Sequence, residues 1–221
     1  MKTISEVFRQ FLAEQAVRQS SRTQDKYRGI IELFESYLQS YWPGHDQKEY
    51  ERVTGTGGTF CATFGPEEII NNYGEFLGYF MPRKVLCGKE TLKAAGTVTK
   101  KLANWLVEKG YVKDAADAVE RAGEASRDLP VAHEVEKLLY EHVVDNPPIH
   151  SSVVIEDHFW IKKVEPGRIW LEPMTESPDA IGPVPVPKRV SQLCRPGWDI
   201  SGAIGQTRRG WRFLEVWTVT P

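Results

Sequence analysis

The tripeptide Asn146-Pro147-Pro148 divides the chain into two stretches of different periodicity. Upstream of it, apolar residues recur every three or four positions, the spacing of one helix face. Downstream they fall in short runs separated by Gly and Pro turns, the texture of strands. A helical repeat laid out as a strand would turn its apolar side chains to both faces of a sheet. The pattern therefore requires an α+β fold, with a helical N-terminal part and a β-rich C-terminal part. At 221 residues the chain is long enough to bury a core in each.

The helical part opens at Thr3 or Ser5, after which Ile4, Val7, Phe8, Phe11 and Leu12 form a stripe. This amphipathic pattern carries charge inside its apolar stretch and does not read as a signal peptide. Ser21 or Thr23 is placed to cap a second helix, with a stripe of Tyr27, Ile30, Ile31, Phe34, Leu38 and Tyr41 that ends at Trp42-Pro43-Gly44. Residues 43–65, with Gly55, Gly57 and Gly58, read as a long loop. Pro66 suits the first turn of a third helix, buried through Ile69, Tyr73, Phe76, Leu77 and Phe80 and stopped by Pro82. A fourth helix runs from about Lys89 to Lys109 and closes at Gly110. Residues 113–126, rich in Ala, Asp and Glu, read as a weak helix. A stronger one follows with Val131, Val135, Leu138, Leu139 and Val143. The expected domains are residues 1–112, a helical connector at 113–148 and a β-rich module at 149–221.

In that last module, HFWIKKVEPGRIWLEP is a hairpin about Glu165-Pro166-Gly167. The prolines of IGPVPVP fit only an edge strand. Two more strands flank a turn near Arg209-Gly210. Short strands with frequent turns point to a small β-barrel or a curved antiparallel sheet. Trp160, Trp170, Trp198, Trp211 and Trp217 give so small a unit the bulk for its core, and any left outside it form a stacking or partner surface.

The net charge of −2 gives no global signal for a polyanion, so any nucleic-acid reading rests on local charge. Cys61, Cys87 and Cys194 are widely spaced and odd in number, which disfavours a disulfide framework or a zinc knuckle and points to a reducing, cytoplasmic setting. No run approaches the ~20 apolar residues of a membrane span, so no membrane partner is expected. Gly55-Thr56-Gly57-Gly58-Thr59 has the composition of a phosphate loop, but no Gly-Lys-Ser/Thr follows it. Glu67-Glu68 suits a helix start, and Asp114, Asp117, Glu120 and Glu124 suit a solvated face. No catalytic, metal-binding or cofactor-binding motif emerges.

The fourth helix separates into two sides at 3.6 residues per turn. Leu92, Ala95, Val98, Leu102, Trp105 and Leu106 gather on one, and Lys89, Lys93, Thr97, Lys100, Lys101 and Asn104 on the other. Its acids, Glu90 and Glu108, lie near the ends. Arg83 and Lys84 immediately precede it. A basic loop leading into a basic helix face can neutralise phosphates and release their counterions.

The order of these elements resembles the N-terminal SAM-like, or core-binding, domain of phage integrases and tyrosine recombinases. Three stretches carry the resemblance: TISEVFRQFLAEQAVRQSSRTQDKYRGIIELFESYL, GPEEIINNYGEFLGYF and ETLKAAGTVTKKLANWLVEKGYV. Together they cover roughly residues 3–112. The resemblance implies a four- to five-helix SAM-like bundle that clasps double-stranded DNA. It implies contacts through Arg22, Lys26 and Arg28, and through Lys89, Lys93, Thr97, Lys100 and Lys101. The glycine-containing stretch at 43–65 departs from the family. Arg208-Arg209, at the expected hairpin tip, is a secondary DNA contact.

The catalytic constellation of tyrosine recombinases is not found. It needs a His-x-x-Arg motif and a tyrosine nucleophile downstream of the helical domain. His133 is followed by Glu-Val-Glu and His142 by Val-Val-Asp, while His150 and His158 also lack the arginine. Tyr140 is the last tyrosine. The sequence reading is thus a non-catalytic, integrase-like DNA-binding protein tied to DNA recombination by resemblance alone. The alternative is a protein-interaction adaptor that works through the Trp-rich β module.

Overall fold

The computed structural model describes residues 2–147, 150–175 and 180–221. The chain is a helical N-terminal part followed by a curled five-stranded antiparallel sheet. It forms two compact units, Met1–Arg127 and Asp128–Pro221.

In the first unit, α1 (Ile4–Ala16) begins in a capping box between Thr3 and Glu6 and buries Ile4, Val7, Phe8 and Phe11. Helix α2 (Ser21–Tyr41) is capped by Ser20 and not by the expected Ser21 or Thr23. Ser20 is extended and its hydroxyl accepts from the Thr23 amide, as an N-cap must. Phe34 of α2 is the centre of the aromatic core. It stacks on Phe76 at 4.3 Å and meets Phe8 at 5.9 Å and Tyr73 at 5.5 Å.

Residues 43–65 are not a loop. They contain α3 (Gln47–Thr54), capped by Asp46, and the single turn α4 (Phe60–Thr63). Trp42 organises this segment, with Tyr50, Phe60 and Phe64 around it at 5.0, 5.4 and 6.0 Å. Aromatic burial thus outweighs the glycine content that suggested a loop. Gln39 Oε1 accepts from the Phe60 amide, and the Phe64 carbonyl accepts from the Ile4 amide, which ties the segment to α2 and α1.

The third helical region is α5 (Glu67–Asn71), α6 (Tyr73–Glu75), a π turn (Phe76–Phe80) and α7 (Met81–Lys84). Its expected buried residues are buried, but Pro82 does not stop it. The π turn, closed by the Met81 amide on the Phe76 carbonyl, widens the helix just where the proline ring would meet the carbonyl of Gly78. Helix α8 (Lys89–Glu108) ends before Gly110, whose φ is +71°. It packs through Leu92, Ala95, Val98, Leu102, Trp105 and Leu106.

Residues 113–145 do not form two helices. A single helix, α9 (Ala116–Asp145), runs through Pro130. An interior proline costs about 3 kcal/mol, and burial of Leu129 just before it and of Val135 and Leu139 beyond it returns about 1.5–3 kcal/mol each. Residues of α9 up to Arg127 count with the first unit, where Ala118, Ala122 and Ala125 are buried. Their small side chains let α9 approach α8 closely. A Cβ on Gly96 would stand 2.3 Å from the Ser126 amide nitrogen and 2.6 Å from the Ala122 carbonyl oxygen.

In the second unit the rest of α9 and α10 (Lys188–Leu193) accompany β1 (Val153–Glu165), β2 (Arg168–Pro173), β3 (Ile181–Pro185), β4 (Asp199–Thr207) and β5 (Gly210–Thr220). The strand order is β3-β2-β1-β4-β5, which puts the proline-containing β3 at an edge. The sheet curls into a half-barrel, bringing β3 and β5 towards each other. Its inner face joins Phe159, Ile161, Ile169, Leu171, Ile200, Ile204 and Phe213 to Val135 and Leu139 of α9. Pro148 and Ile149, where the expected module boundary falls, lie outside the described residues. No helix among the described residues is long and apolar enough to cross a membrane.

Candidate nucleic-acid interface

The two sides of α8 behave as its periodicity requires. Lys89, Lys93, Lys100 and Lys101 are all exposed, on the side opposite the packed stripe. The expected hydrogen-bonding residues among them are exposed too, but their side chains bond carbonyls of their own helix. Thr97 Oγ1 donates to the Lys93 carbonyl at 2.9 Å and lies 3.2 Å from Ser126 Oγ on α9. Asn104 Nδ2 donates to the Lys100 carbonyl at 2.9 Å. Thr97 therefore serves the α8–α9 crossing, a role the sequence did not indicate.

The first turns of α2 run alongside the start of α8. Between them lies a groove of about 410 Å³, with Gly29, Ile30, Leu33 and Ala94 along its floor and Arg22, Lys26, Asp25 and Glu90 around them. Lys26 Nζ is 3.7 Å from Glu90 Oε2, and Arg28 is 3.5 Å from Asp25. Exposed pairs of this kind contribute about 0–1 kcal/mol, so a phosphate can compete for either cation. Arg22 and Lys26 are thus brought to the beginning of the lysine side, and Arg28 is exposed on the same helix.

Arg83 and Lys84 close α7. Both cationic heads stand 5.5 Å from the centroid of Tyr79. Tyr41 reaches the same place, 6.4 Å from Tyr79, and is 44% exposed, and the next loop presents Leu86 to solvent. The patch is aromatic and basic, a combination that suits both phosphate and base faces.

Two cations on α9 were not singled out in the sequence. A Cβ on Gly123 would lie 3.4 Å from Lys100 Nζ and 3.7 Å from Arg127 Nη1, and one on Gly74 would lie 3.5 Å from Arg121 Nη1. Their signal is masked by the surrounding Asp117, Glu120 and Glu124, and only the crossing at Gly96 reveals that α9 lies beside Lys100.

In the second unit, Arg208 and Arg209 are exposed in the turn between β4 and β5, where Thr207 Oγ1 accepts from the Arg209 amide at 3.1 Å. The tryptophans divide. Trp198 is buried and Trp211 packs against the core, while Lys163 covers Trp170 at 4.5 Å. Trp160 and Trp217 are 42% and 47% exposed. A register shift between Ser201 and Gly202 leaves Trp217 outside the β4–β5 pairing and turns it outward. The shift brings the strands so close that a Cβ on Gly202 would stand 2.3 Å from the Glu215 carbonyl oxygen.

The outer face of the sheet also carries a polar group. His158 Nδ1 is 3.0 Å from Asp199 Oδ2, to which Thr220 Oγ1 donates at 3.3 Å. Ser201 stands opposite His158 in the β1–β4 register, but its hydroxyl pairs with Thr218 at 2.6 Å. The nucleophile–base bond of a serine hydrolase is not formed. Burial pushes the thiols of Cys61 and Cys194 up to about 12 and that of Cys87 upward, which removes thiolate reactivity near neutral pH. Among the described residues no group of three or more His, Cys, Asp or Glu is placed to hold a metal ion.

Comparison with protein-family models, with curated proteins and with solved structures yields no match.

Proposed function

We propose that the helical unit binds double-stranded DNA, without strand-cleavage chemistry of its own, in the manner implied by its resemblance to integrase core-binding domains. The observation that carries this reading is the exposed side of α8, where Lys93, Lys100 and Lys101 stand on one rigid helix beside Arg22 and Lys26 of α2. Duplex DNA meets such a surface mainly through phosphates, so affinity falls steeply with salt. Duplex binding measured across a salt series tests it. The expected result is binding at low salt, weakened by Lys93→Ala/Lys100→Ala. Absence of binding at low salt, or indifference to that double substitution, defeats the proposal.

A second reading rests on Trp160 and Trp217, two indoles left half in solvent on a half-barrel that buries Trp198 and partly buries Trp170 and Trp211. Under it the protein is an adaptor that docks a protein partner on the outer face of the sheet. Capture of one defined partner, abolished by Trp160→Ala/Trp217→Ala with duplex binding unchanged, supports this reading over the first.

A further inference from the structure

The geometry points to an oxyanion-binding site over Gly123, formed by Lys100 of α8 and Arg127 of α9. Both cationic heads converge on this glycine, as the positions about its Cβ direction show. Neither has a carboxylate within ion-pair distance among the described residues. Glu120 and Glu124 are exposed on the same helix and engage neither cation. Two like charges held together without a counter-charge repel, and a tetrahedral oxyanion between them removes the repulsion. A guanidinium supplies paired donors to phosphate and an ammonium a compact charge, the complement that phosphate takes.

The glycine itself supports the assignment. At Gly96 a side chain is excluded by backbone, so the helix crossing explains that residue. At Gly123 a Cβ would meet only the flexible tips of Lys100 and Arg127. Packing does not require a glycine there, although glycine weakens a helix interior. What covers its Cβ side is the pair of flexible cationic tips, which can part around a ligand held between them. Thr97 and Ser126 add a hydroxyl pair close by, three residues before Lys100 and three after Gly123. The inference leans on the DNA-binding reading only for the source of the anion: the phosphate is that of a nucleic-acid backbone or of a free phosphate ion.

Two measurements on the full chain separate these sources. In the first, inorganic phosphate is titrated against chloride at matched ionic strength while the Gly123 amide and Arg127 side-chain resonances are followed. The expected result is a saturable shift, weakened at least fivefold in Lys100→Ala/Arg127→Ala. It is also lost in Gly123→Asp, which puts a carboxylate between the cations while the chain stays folded. In the second, the slope of log affinity against log salt for a DNA duplex is compared with Arg127→Ala, where a fall of about one is expected. A phosphate shift without duplex binding keeps the site and removes the DNA reading. Reduced slope on Arg127→Ala identifies the nucleic-acid backbone as the source. Duplex binding with an unchanged slope, together with a Gly123 resonance indifferent to phosphate, overturns the site and leaves the DNA reading standing.

Discussion

Gly96 of α8 faces the backbone of Ser126 on α9 so closely that a Cβ would stand 2.3 Å from the Ser126 amide nitrogen. No rotamer change relieves a contact with backbone, so Gly96→Ala must force the helices apart. Alanine improves helix propensity by about 1 kcal/mol, but overpacking costs about 1–3 kcal/mol and the buried alanines of α9 lose their contacts as well. We expect a net loss of stability, seen as a lower Tm. Because the same crossing places Arg127 beside Lys100, the variant also weakens duplex binding at temperatures where it is still folded.

Glu14 joins α1 to α8. Its carboxylate accepts from Gln10 at 2.8 Å and from Trp105 Nε1 at 2.9 Å, and it lies 2.8 Å from Lys109 Nζ. These hydrogen bonds, that of Gln10 foremost, lower its pKa from 4.5 to about 2. A carboxyl whose folded pKa is depressed adds stability that is present above its unfolded pKa and is lost as pH falls through the folded one. Glu14→Gln is therefore expected to be less stable than the parent at pH 7. The gap should narrow between pH 4.5 and pH 2 and vanish below. Urea unfolding at a series of pH values gives the comparison, and a constant gap down to pH 2 rules out the ionised clamp.

The division into helices and strands was legible because periodicity is a local property. The packed stripes of α1, α2 and α8, the hairpin at Gly167 and the edge position of β3 all follow from it. What was not legible depends on residues distant in sequence. Residues 43–65 are ordered by Trp42, by the Gln39 side chain and by the Ile4 amide, none of which lies in the segment's own composition. Pro82 and Pro130 stay inside helices because a π turn and a core on the far side offset their cost. At the candidate interface, the lysine side of α8 was visible as a spacing. Arg127 was not, because its relation to Lys100 exists only through the Gly96 crossing.

Tyr79 holds Arg83 and Lys84 over one ring, each at 5.5 Å. The tyrosine fixes two flexible cations at the end of α7 at little entropic cost to a bound phosphate. Arg83→Ala/Lys84→Ala is expected to lower duplex affinity and to reduce the salt slope by up to about two. Tyr79→Leu, which keeps both charges but removes the ring beneath them, is expected to weaken binding with the slope nearly unchanged. Equal affinities for the parent and the double variant across the salt series exclude this patch from the interface.

Trp160 and Trp198 lie in the same unit with opposite exposure, 42% and 5%. A half-barrel this small depends on its large buried side chains, and removing one costs about 3–5 kcal/mol. Trp198→Ala is therefore expected to unfold the β unit or lower its Tm steeply. Trp160→Ala/Trp217→Ala removes two indoles from the outer face, where substitutions usually change stability by no more than about 0.5 kcal/mol each. It should leave the melting transition nearly in place. Trp217 donates from Nε1 to Glu215 at 2.9 Å, a bond on the solvent side that does not alter this expectation. Acrylamide quenching of tryptophan emission gives a second readout. The double variant should lose most of the quenchable fraction, because Trp198 is shielded in the core and Lys163 covers Trp170. A large drop in Tm on losing Trp160 and Trp217 would show that they brace the curled sheet, and the case for a partner-docking face would fall with it.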